Sequence, residues 1–515
     1  MSTAAAPTMS SQTLSPVETW LATLACMVAF FTALFTASMV NVAVPAVMGS
    51  FGVGQSQAQL LISAFFAMNS TGLLASSWMV ARFGQREVFL GSLLTFGTAG
   101  LVCFAAPSFE ILVLGRVTQG LTAGLLQPLI MMVLMQIFPP EKRGLALGLF
   151  GMGVMAAFGV GPAVGGVIID ALQWRLIFLA PMPLLAIALL LAFFFLPAQP
   201  RQANPPSFDW LGFALVNAFI FCWFTILGNG QRWGWSSDIV LTYVAGVIFS
   251  AIAFYWSQKR PGPTLIDLSL FRNRQYAAGL MIIFLFGFGT LAVVYASPIF
   301  GQLVQNFSPI TAGTLLLPAS LIAATLSPFT GRATDKFPHR MLLSIGILLS
   351  VVSIYGLTNA DTNTHYWYIA AMLIVSRIGA AIATAPMMAA PLLGLPPAQM
   401  QRGAGLTNFA VIFGGSNGAA VYVVFLEQRI QYHASNLGST QTFANETARE
   451  LLQGAGALLA QAGVTDLERG GLAVGHLRQV IIAQANALGF QDGFVFVYVS
   501  MALAFIPLLM MRPKR

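Results

Sequence analysis

The sequence predicts an all-α polytopic membrane protein with fourteen transmembrane helices, arranged as six, two and six. Of its 515 residues, 57% are hydrophobic and only 8% are charged, whereas a soluble chain carries about 25% charged residues. A helix that spans a bilayer needs about 20 mostly apolar residues. Fourteen runs of this kind occur, over residues 20–45, 58–80, 88–106, 109–138, 144–170, 174–196, 210–229, 238–257, 275–301, 311–330, 341–358, 366–393, 403–426 and 491–511.

The distribution of basic residues predicts that both termini are cytoplasmic. With the amino terminus inside, 16 of the 24 Lys and Arg residues fall in inside loops and tails, 6 fall outside, and 2 (Arg116 and Arg377) fall within spans. Such an excess inside is typical of membrane proteins. The net charge of +8 is explained by this asymmetry, so no nucleic-acid partner is predicted.

The order of the spans predicts two six-helix bundles joined by two inserted helices. A stretch with four prolines follows the sixth span and is typical of a linker. The predicted segments are a cytoplasmic tail (1–19), the first bundle (20–196), a Pro-rich cytoplasmic linker (197–209), the inserted helices (210–257), a cytoplasmic loop (258–274), the second bundle (275–511) with a small helical cap outside the membrane (427–489), and a cytoplasmic tail (512–515).

The fifth span contains an unusual set of small residues. Gly153, Ala157, Gly161 and Gly165 recur every four residues, so they share one helix face and allow a second helix to approach closely. Pro162 and Gly166 interrupt the same stretch, and a proline can bend the helix there. We interpret the set as a hinge and seal between the two bundles; a static helix pair is the alternative.

Polar side chains within the spans predict a central cavity. Arg116 at mid-helix must face the bundle interior or a wet cavity, where with Gln119 it could influence a nearby acid or contact an anionic group. Asn41, Gln127 and Asn408 either line this cavity or form hydrogen bonds between helices. For Arg116, the alternative is a structural charge that helix carbonyls satisfy.

Acidic residues are absent from the middle of every predicted span. A proton-driven carrier needs a group that binds and releases a proton, and a buried carboxylate is the usual one. The candidates lie at the outside ends of spans: Glu110, Asp170, Glu427 and Asp492.

Two short inside loops resemble each other and predict a cytoplasmic gate. Arg82, Gly84 and Arg86 follow the second span, where their positive charge can pair with acids or with helix carbonyls. In the second half the corresponding loop holds Gly331, Asp335 and Arg340. Membrane orientation alone also requires basic residues in such loops.

The ordered motifs resemble those of the fourteen-span drug:proton antiporters of the major facilitator superfamily, in particular EmrB-like multidrug efflux permeases. The matching segments are SMVNVAVPAV (38–47), LVLGRVTQGLTAG (112–124), GVGPAVGG (159–166), WRLIFL (174–179), FDWLGFAL (208–215), GNGQRWGW (228–235), IDLSLFRNR (266–274) and QANALGFQDGF (484–494). Thr36 stands where the family's first-span signature usually carries an Asp, so the resemblance adds Thr36 to the expected cavity or coupling residues. The resemblance implies the major facilitator fold, proton antiport without a cofactor, and a periplasmic adaptor with an outer-membrane channel.

We therefore expect a secondary active exporter in the bacterial inner membrane, in contact with membrane lipids. Its expected substrates are hydrophobic or amphipathic compounds, neutral or weakly acidic, because two intramembrane arginines disfavour a cation. Its proposed cycle alternates access between the two sides around a site between the bundles. The alternatives are a carrier for one metabolite, siderophore or lipid, a membrane enzyme, and a channel; scattered histidines and the lack of a polar pore ring disfavour the last two.

Overall fold

The computed structural model of the chain describes residues 15–138, 143–197, 207–441 and 445–511. The predicted tails 1–19 and 512–515 and the linker 197–209 lie wholly or largely outside these ranges. The described part is built from the helices α1 (Pro16–Phe51), α2 (Gln55–Phe83), α3 (Gln85–Ala105), α4 (Phe109–Ile137), α5 (Arg143–Ala171), α6 (Met182–Phe195), α7 (Trp210–Trp233), α8 (Asp238–Ser257), α9 (Arg274–Leu303), α10 (Pro309–Thr314), α11 (Leu317–Lys336), α12 (His339–Leu357), α13 (Tyr366–Ala389), α14 (Pro397–Ser439), α15 (Glu446–Gln461), α16 (Asp466–Ala502) and α17 (Phe505–Met510).

Fourteen stretches of these helices are long and apolar enough to cross a membrane, so the predicted multi-pass, all-α fold is confirmed. Two of the stretches each consist of two α-helices. The tenth consists of α10 and α11, and the last consists of α16 and α17. Because an even number of spans returns the chain to its starting side, we call that side the termini face and the opposite side the distal face.

Local sequence explains where several helices begin and end. The Ser15 hydroxyl accepts a hydrogen bond from the Glu18 N–H, and the Glu18 carboxylate accepts one from the Ser15 N–H, which forms a capping box at the start of α1. Gly52 has a φ of +64° at the end of α1, a conformation that glycine adopts at little cost. Gly84 has a φ of +96° and makes the tight turn between α2 and α3.

The two halves repeat the same packing. In the first bundle α5 packs on α1, and α4 packs on both α2 and α3. In the second bundle α14 packs on α9, and α13 packs on both α11 and α12. The bundles meet along two seams, one where α5 contacts α10 and α11 and one where α2 contacts α14.

The inserted helices lie beside the second of these seams. α7 packs against α2 and α14, whereas α8 packs against α7. Only 11% of the apolar window of α8 is buried, so most of its surface is available to lipid.

The segment 427–489 differs from the predicted small cap. α14 continues to Ser439 and α16 begins at Asp466, so the flanking spans run on into this segment as unbroken helices. Between them α15 packs against α16. The sequence has no proline between 427 and 439 or between 466 and 489, and nothing therefore ends these helices at the membrane surface.

Candidate functional site at the seams between the bundles

The four-residue ladder of α5 faces α1 of its own bundle. The Ser38 hydroxyl of α1 donates a 2.8 Å hydrogen bond to the Ala157 carbonyl. A Cβ atom on Gly161 would lie 3.0 Å from the Phe35 carbonyl oxygen, and one on Gly165 would lie 3.1 Å from that of Met39. At Gly153 no atom lies within 4 Å of such a Cβ. The expectation that this ladder faces the opposite bundle is therefore wrong.

A second face of α5 forms the seam. A Cβ atom on Gly166 would lie 2.6 Å from Ile310 Cα, and one on Gly159 would lie 3.0 Å from Ser320 Oγ. Gly313 of α10 packs directly against Pro162 and Ala163. The motif GVGPAVGG places small residues on more than one face of α5. One face therefore packs closely on α1 of the same bundle, and another packs closely on α10 and α11 of the opposite bundle.

The fifth span of the second half packs in the same way, which the sequence analysis missed. A Cβ atom on Gly414 of α14 would lie 2.9 Å from Phe284 Cα, and one on Gly418 would lie 2.6 Å from Phe288 Cα, both on α9. In both halves, therefore, glycines hold the fifth span against the first.

Arg116 lies inside the first bundle, where it contacts α2. Its side chain is fully buried. Nε donates a 3.0 Å hydrogen bond to the Leu61 carbonyl, one terminal nitrogen donates a 2.9 Å bond to Gln119 Oε1, and the guanidinium lies 4.5 Å from the centre of the Phe65 ring. The other terminal nitrogen and Gln119 Nε2 have no partner. This geometry supports the structural alternative for Arg116, with one of its N–H groups left unpaired.

The remaining predicted cavity residues have different surroundings. Thr36 is buried and donates a 2.7 Å hydrogen bond to the Thr32 carbonyl within α1. Asn41 is buried and its Oδ1 has no partner. Gln127 and Asn408 are partly exposed, and Asn408 donates a 3.2 Å bond to Ala404 of its own helix. The last two are therefore the most accessible members of the set.

The loop arginines bind carbonyls of their own bundles. Arg86 donates a hydrogen bond to the Phe193 carbonyl near the end of α6 and lies over the Phe193 ring. Arg340 donates a 3.4 Å bond to the Met511 carbonyl just after α17. Basic side chains at helix carboxyl ends satisfy free carbonyls and the helix dipole, so in this structure both arginines fasten a sixth span to its own bundle.

Three other loop residues complete the predicted gate. Arg82 is exposed. A Cβ atom on Gly331 would meet no atom within 4 Å. The side chain of Asp335 lies outside the described part of the structure.

The four candidate carboxylates lie near the distal face but differ in their partners. Glu110 is exposed in the first turn of α4, beside Ser108. Asp492 Oδ2 accepts a 2.6 Å bond from Arg429 and a 2.7 Å bond from His433, two partners that the sequence analysis did not identify. Asp492 is therefore already neutralised by basic groups.

Asp170 and Glu427 each bond to the opposite bundle. Asp170 Oδ2 accepts a 2.9 Å hydrogen bond from the Ile310 backbone N–H of α10. Glu427 Oε1 accepts a 2.7 Å bond from the Ser56 backbone N–H in the first turn of α2. The second oxygen of Glu427 is buried without a partner.

A cavity of about 1060 Å³ opens near Glu427 at the distal face. Both bundles and α7 line it, with Ser56, Glu110, Arg232, Glu427 and Asn486 among the polar residues. Within the part of the chain that the structure describes, no group of three or more His, Cys, Asp or Glu residues could hold a metal ion.

Comparison with known proteins gives a consistent result. The family model described as Major Facilitator Superfamily matches residues 26–419. The uncharacterized MFS-type transporter YhcA of Bacillus subtilis (strain 168) is 29% identical over 474 residues, which cover 91% of this chain and 88% of YhcA. The multidrug export protein EmrB of Escherichia coli (strain K12) is 27% identical over 488 residues, which cover 92% of this chain and 93% of EmrB.

Solved structures share the fold at low sequence identity. A mutant of the peptide transporter POT matches with a TM-score of 0.62 at 15% identity, covering 96% of both chains. A bacterial homolog of the human lysosomal transporter Spinster, inward-facing and unoccupied, matches with a TM-score of 0.61 at 14% identity, covering 97% of this chain and 98% of that one.

Proposed function

Because the chain belongs to the major facilitator superfamily, we propose that it is a secondary active exporter of the bacterial inner membrane that works by alternating access. The observation that carries the proposal is the pair of seams between the two bundles. Gly159, Pro162 and Gly166 bring the α5 backbone into direct contact with α10 and α11. Contacts between backbones lack long interlocking side chains, so two such bundles can separate and close again as units.

The basic loops support an orientation with the termini face in the cytoplasm. In that orientation the distal face is periplasmic. Four hydrogen bonds cross between the bundles in the distal half, from Gln55 to Tyr295, Ser56 to Glu427, Gln302 to Val42 and Ile310 to Asp170. These bonds favour a state that is closed toward the periplasm.

The proposed substrates are neutral or weakly acidic amphipathic compounds taken from the cytoplasm or the inner leaflet. Arg116 and Arg377 are both buried within spans, and each has a terminal nitrogen without a partner. Their charge raises the electrostatic potential inside the protein, which disfavours a lipophilic cation. The similarity to EmrB, which is named a multidrug export protein, supports export of drug-like compounds.

Proton antiport is the proposed energy source, with Glu427 as the leading coupling group. Of the four candidate acids, Glu110 is exposed and Asp492 has two basic partners, whereas Glu427 lines the distal cavity and keeps one oxygen unpaired. Such a carboxylate can bind a proton without first breaking an ion pair.

A transport assay tests the proposal. In proteoliposomes with an imposed pH gradient, a neutral fluorescent amphiphile and its monocarboxylic analogue should move faster than in protein-free liposomes, whereas tetraphenylphosphonium should not. Glu427→Gln should abolish transport that depends on the gradient, and Asp238→Asn, at an exposed acid of α8, serves as the matched control. Strong transport of the cation alone would contradict the substrate class, and no transport of any probe would contradict the exporter function.

The helical insert offers a surface for a periplasmic adaptor that leads to an outer-membrane channel. α14 and α16 carry the insert beyond the membrane, and Leu458 and Leu472 are exposed there at 68% and 51%. Photo-crosslinking from position 458 in whole cells, with position 249 on lipid-facing α8 as the control, should capture an adaptor at the first position alone. Equal capture at both positions would contradict this assignment.

A further inference from the structure

Two carboxylates, one from each bundle, accept a hydrogen bond from the opposite bundle. Asp170 extends from α5 of the first bundle to the Ile310 N–H of the second, at 2.9 Å. Glu427 extends from α14 of the second bundle to the Ser56 N–H of the first, at 2.7 Å. Each acceptor is a side-chain oxygen and each donor is a backbone group, so the contacts are chemically alike.

The internal repeat relates these two contacts. α5 and α14 are the fifth spans of their halves, and α2 and α10 begin the second spans. In both contacts, therefore, the fifth span of one half binds the start of the second span of the other half. A chance surface contact has no reason to recur at the equivalent place.

We propose that Asp170 and Glu427 are a reciprocal pair of charged latches, which together hold the distal side closed, and that protonation of Glu427 releases its half of the pair. The inference rests on the proposed function in one respect, since opening of the distal side is a step of export. It adds a second carboxylate and assigns to both a mechanical role, which is separate from any binding of substrate.

The strength of these hydrogen bonds depends on whether the carboxylate is ionised. A hydrogen bond to an ionised carboxylate is roughly twice as strong as one between neutral groups. At Glu427 the partner lies in the first turn of a 29-residue helix, where the exposed N–H groups and the helix dipole favour a negative charge. Protonation therefore weakens the contact and leaves the packed seam without its charged bond.

No basic side chain competes for either carboxylate in the described residues, where neither acid belongs to an ion pair within 4.0 Å. Three titratable groups surround Glu427. Tyr295 of α9 interacts with it electrostatically, and Glu110 and Arg232 line the same cavity. Arg429 and His433 on the next turns of α14 are bound to Asp492.

Asp170 also belongs to no ion pair, but it is more exposed than Glu427. Arg175, the nearest basic residue along the chain, donates a 3.1 Å bond to the Ala106 carbonyl and lies over the Phe51 and Trp174 rings. The Asp170 side chain itself is exposed at the distal face. Protons from the distal solution can reach Glu427 through the cavity that it lines, whereas Asp170 contributes a charged contact on the other side of the interface.

The direction of this response matches export. If the distal face is periplasmic, an acidic periplasm protonates Glu427 and favours opening toward that side, where substrate leaves. When Glu427 loses its proton, the distal side closes again. Loss of one latch should raise the ratio of distal-open to distal-closed protein on the order of tenfold, from the usual strength of hydrogen bonds to charged groups.

Spin-label distances across the distal side test the inference without substrate or gradient. Full-length protein in nanodiscs carries labels at the exposed positions Leu172 and Trp367 on opposite bundles, and a second sample carries them at Phe83 and Phe337 near the termini face. The native cysteines of the chain are replaced first (Cys26, Cys103 and Cys222). Distances are recorded at pH 8.5 and pH 5.5.

For wild type we expect the distal pair to move apart and the termini pair to approach at low pH. Glu427→Gln should produce this change at pH 8.5 and remove the dependence on pH, Asp170→Asn should favour the open state at both pH values, and the double variant should be open at both. Ser56→Pro, in the first turn of α2 where proline is tolerated, removes the donor and should act like Glu427→Gln. The matched control Asp238→Asn, at an exposed acid of α8 without a bond to the opposite bundle, should leave the distances unchanged.

A distal distance in wild type that does not depend on pH would overturn the inference, as would a double variant that stays closed. These results would leave the proposed function intact if the transport assay succeeds. Conversely, pH-dependent opening without transport of any probe would retain the latches and contradict the exporter.

Discussion

Trp223 of α7 donates a 2.6 Å hydrogen bond from Nε1 to Asn417 Oδ1 of α14. Asn417 is 6% exposed and its Nδ2 donates to the Phe413 carbonyl. The bond ties an inserted helix to the second bundle. On the other side of the same helix, Asn229 Oδ1 accepts a 3.1 Å bond from Gln57 of α2. α7 is therefore bound to both sides of the α2–α14 seam.

Removal of the indole N–H should weaken this attachment. Trp223→Phe keeps a ring but leaves Asn417 Oδ1 without its donor, which should cost about 1–3 kcal/mol. We expect a lower thermal melting temperature in detergent. Trp256→Phe, at a position 61% exposed on α8, is the control and should melt like wild type; equal melting of both variants would show that the bond contributes nothing.

The ladder glycines should differ in how they tolerate a methyl group. Gly161→Ala places a Cβ atom against Ser38 and Phe35 and should destabilise the first bundle by about 1–3 kcal/mol. Gly153→Ala meets no atom within 4 Å and should stabilise the helix by about 0.5–1 kcal/mol. Melting temperatures measured side by side test the difference, and a similar loss in both would contradict the packing of Gly161 on α1.

A methyl group at the seam should affect transport more than folding. Gly166→Ala places its Cβ atom 2.6 Å from Ile310 Cα of the opposite bundle, so it hinders closure of the distal side while each bundle remains packed. We expect transport at least several-fold slower, with a melting temperature within a few degrees of wild type. The opposite pattern, lost stability with normal transport, would argue against α5 as a moving seam.

Arg116 should act on stability rather than on substrate affinity. Arg116→Lys keeps the charge but cannot bond Leu61 and Gln119 at the same time in the manner of the guanidinium, so we expect a loss of about 1–3 kcal/mol from the unmade hydrogen bond. The KM of the remaining folded protein should stay within about twofold of wild type. Arg82→Lys, at an exposed site, is the control, and a large rise in KM without a loss of stability would return Arg116 to the substrate cavity.

The ion-paired carboxylate should hold the base of the insert. Asp492→Asn removes the charge that binds Arg429 and His433, and because all three groups are partly exposed the cost should be at most about 1 kcal/mol. We expect faster limited proteolysis within 427–489. Glu446→Gln, at an exposed position in the first turn of α15, is the control and should be cleaved at the wild-type rate.

Features of the sequence that depend on composition or on nearest neighbours could be predicted well. The fourteen apolar runs match the fourteen helical stretches because the length of a span is set by the bilayer. The continuation of α14 past Glu427 was missed because hydropathy falls at the membrane surface although the helix does not end there.

Relations between distant parts of the chain could not be predicted. The spacing of Gly161 and Gly165 correctly indicates a close helix contact but cannot say whether α1 or the opposite bundle makes it. Glu427 and Ser56 are 371 residues apart in the sequence. The donor is the backbone N–H of Ser56, which every residue except proline has, so the residue type at position 56 does not indicate the contact. Arg116 looked like a cavity residue because a charge within a span stands out, whereas the carbonyl and the ring that receive it are invisible in the sequence.

The position of α7 makes the protein unequal on its two flanks. Along the α2–α14 flank, this helix stands between the bundles and the surrounding lipid, whereas along the α5–α11 flank the seam has only its own helices. A hydrophobic molecule that enters laterally from the bilayer is therefore blocked by α7 on the first flank, whereas on the second flank it reaches the seam between α5 and α11 directly. We expect one lateral entrance, beside α5.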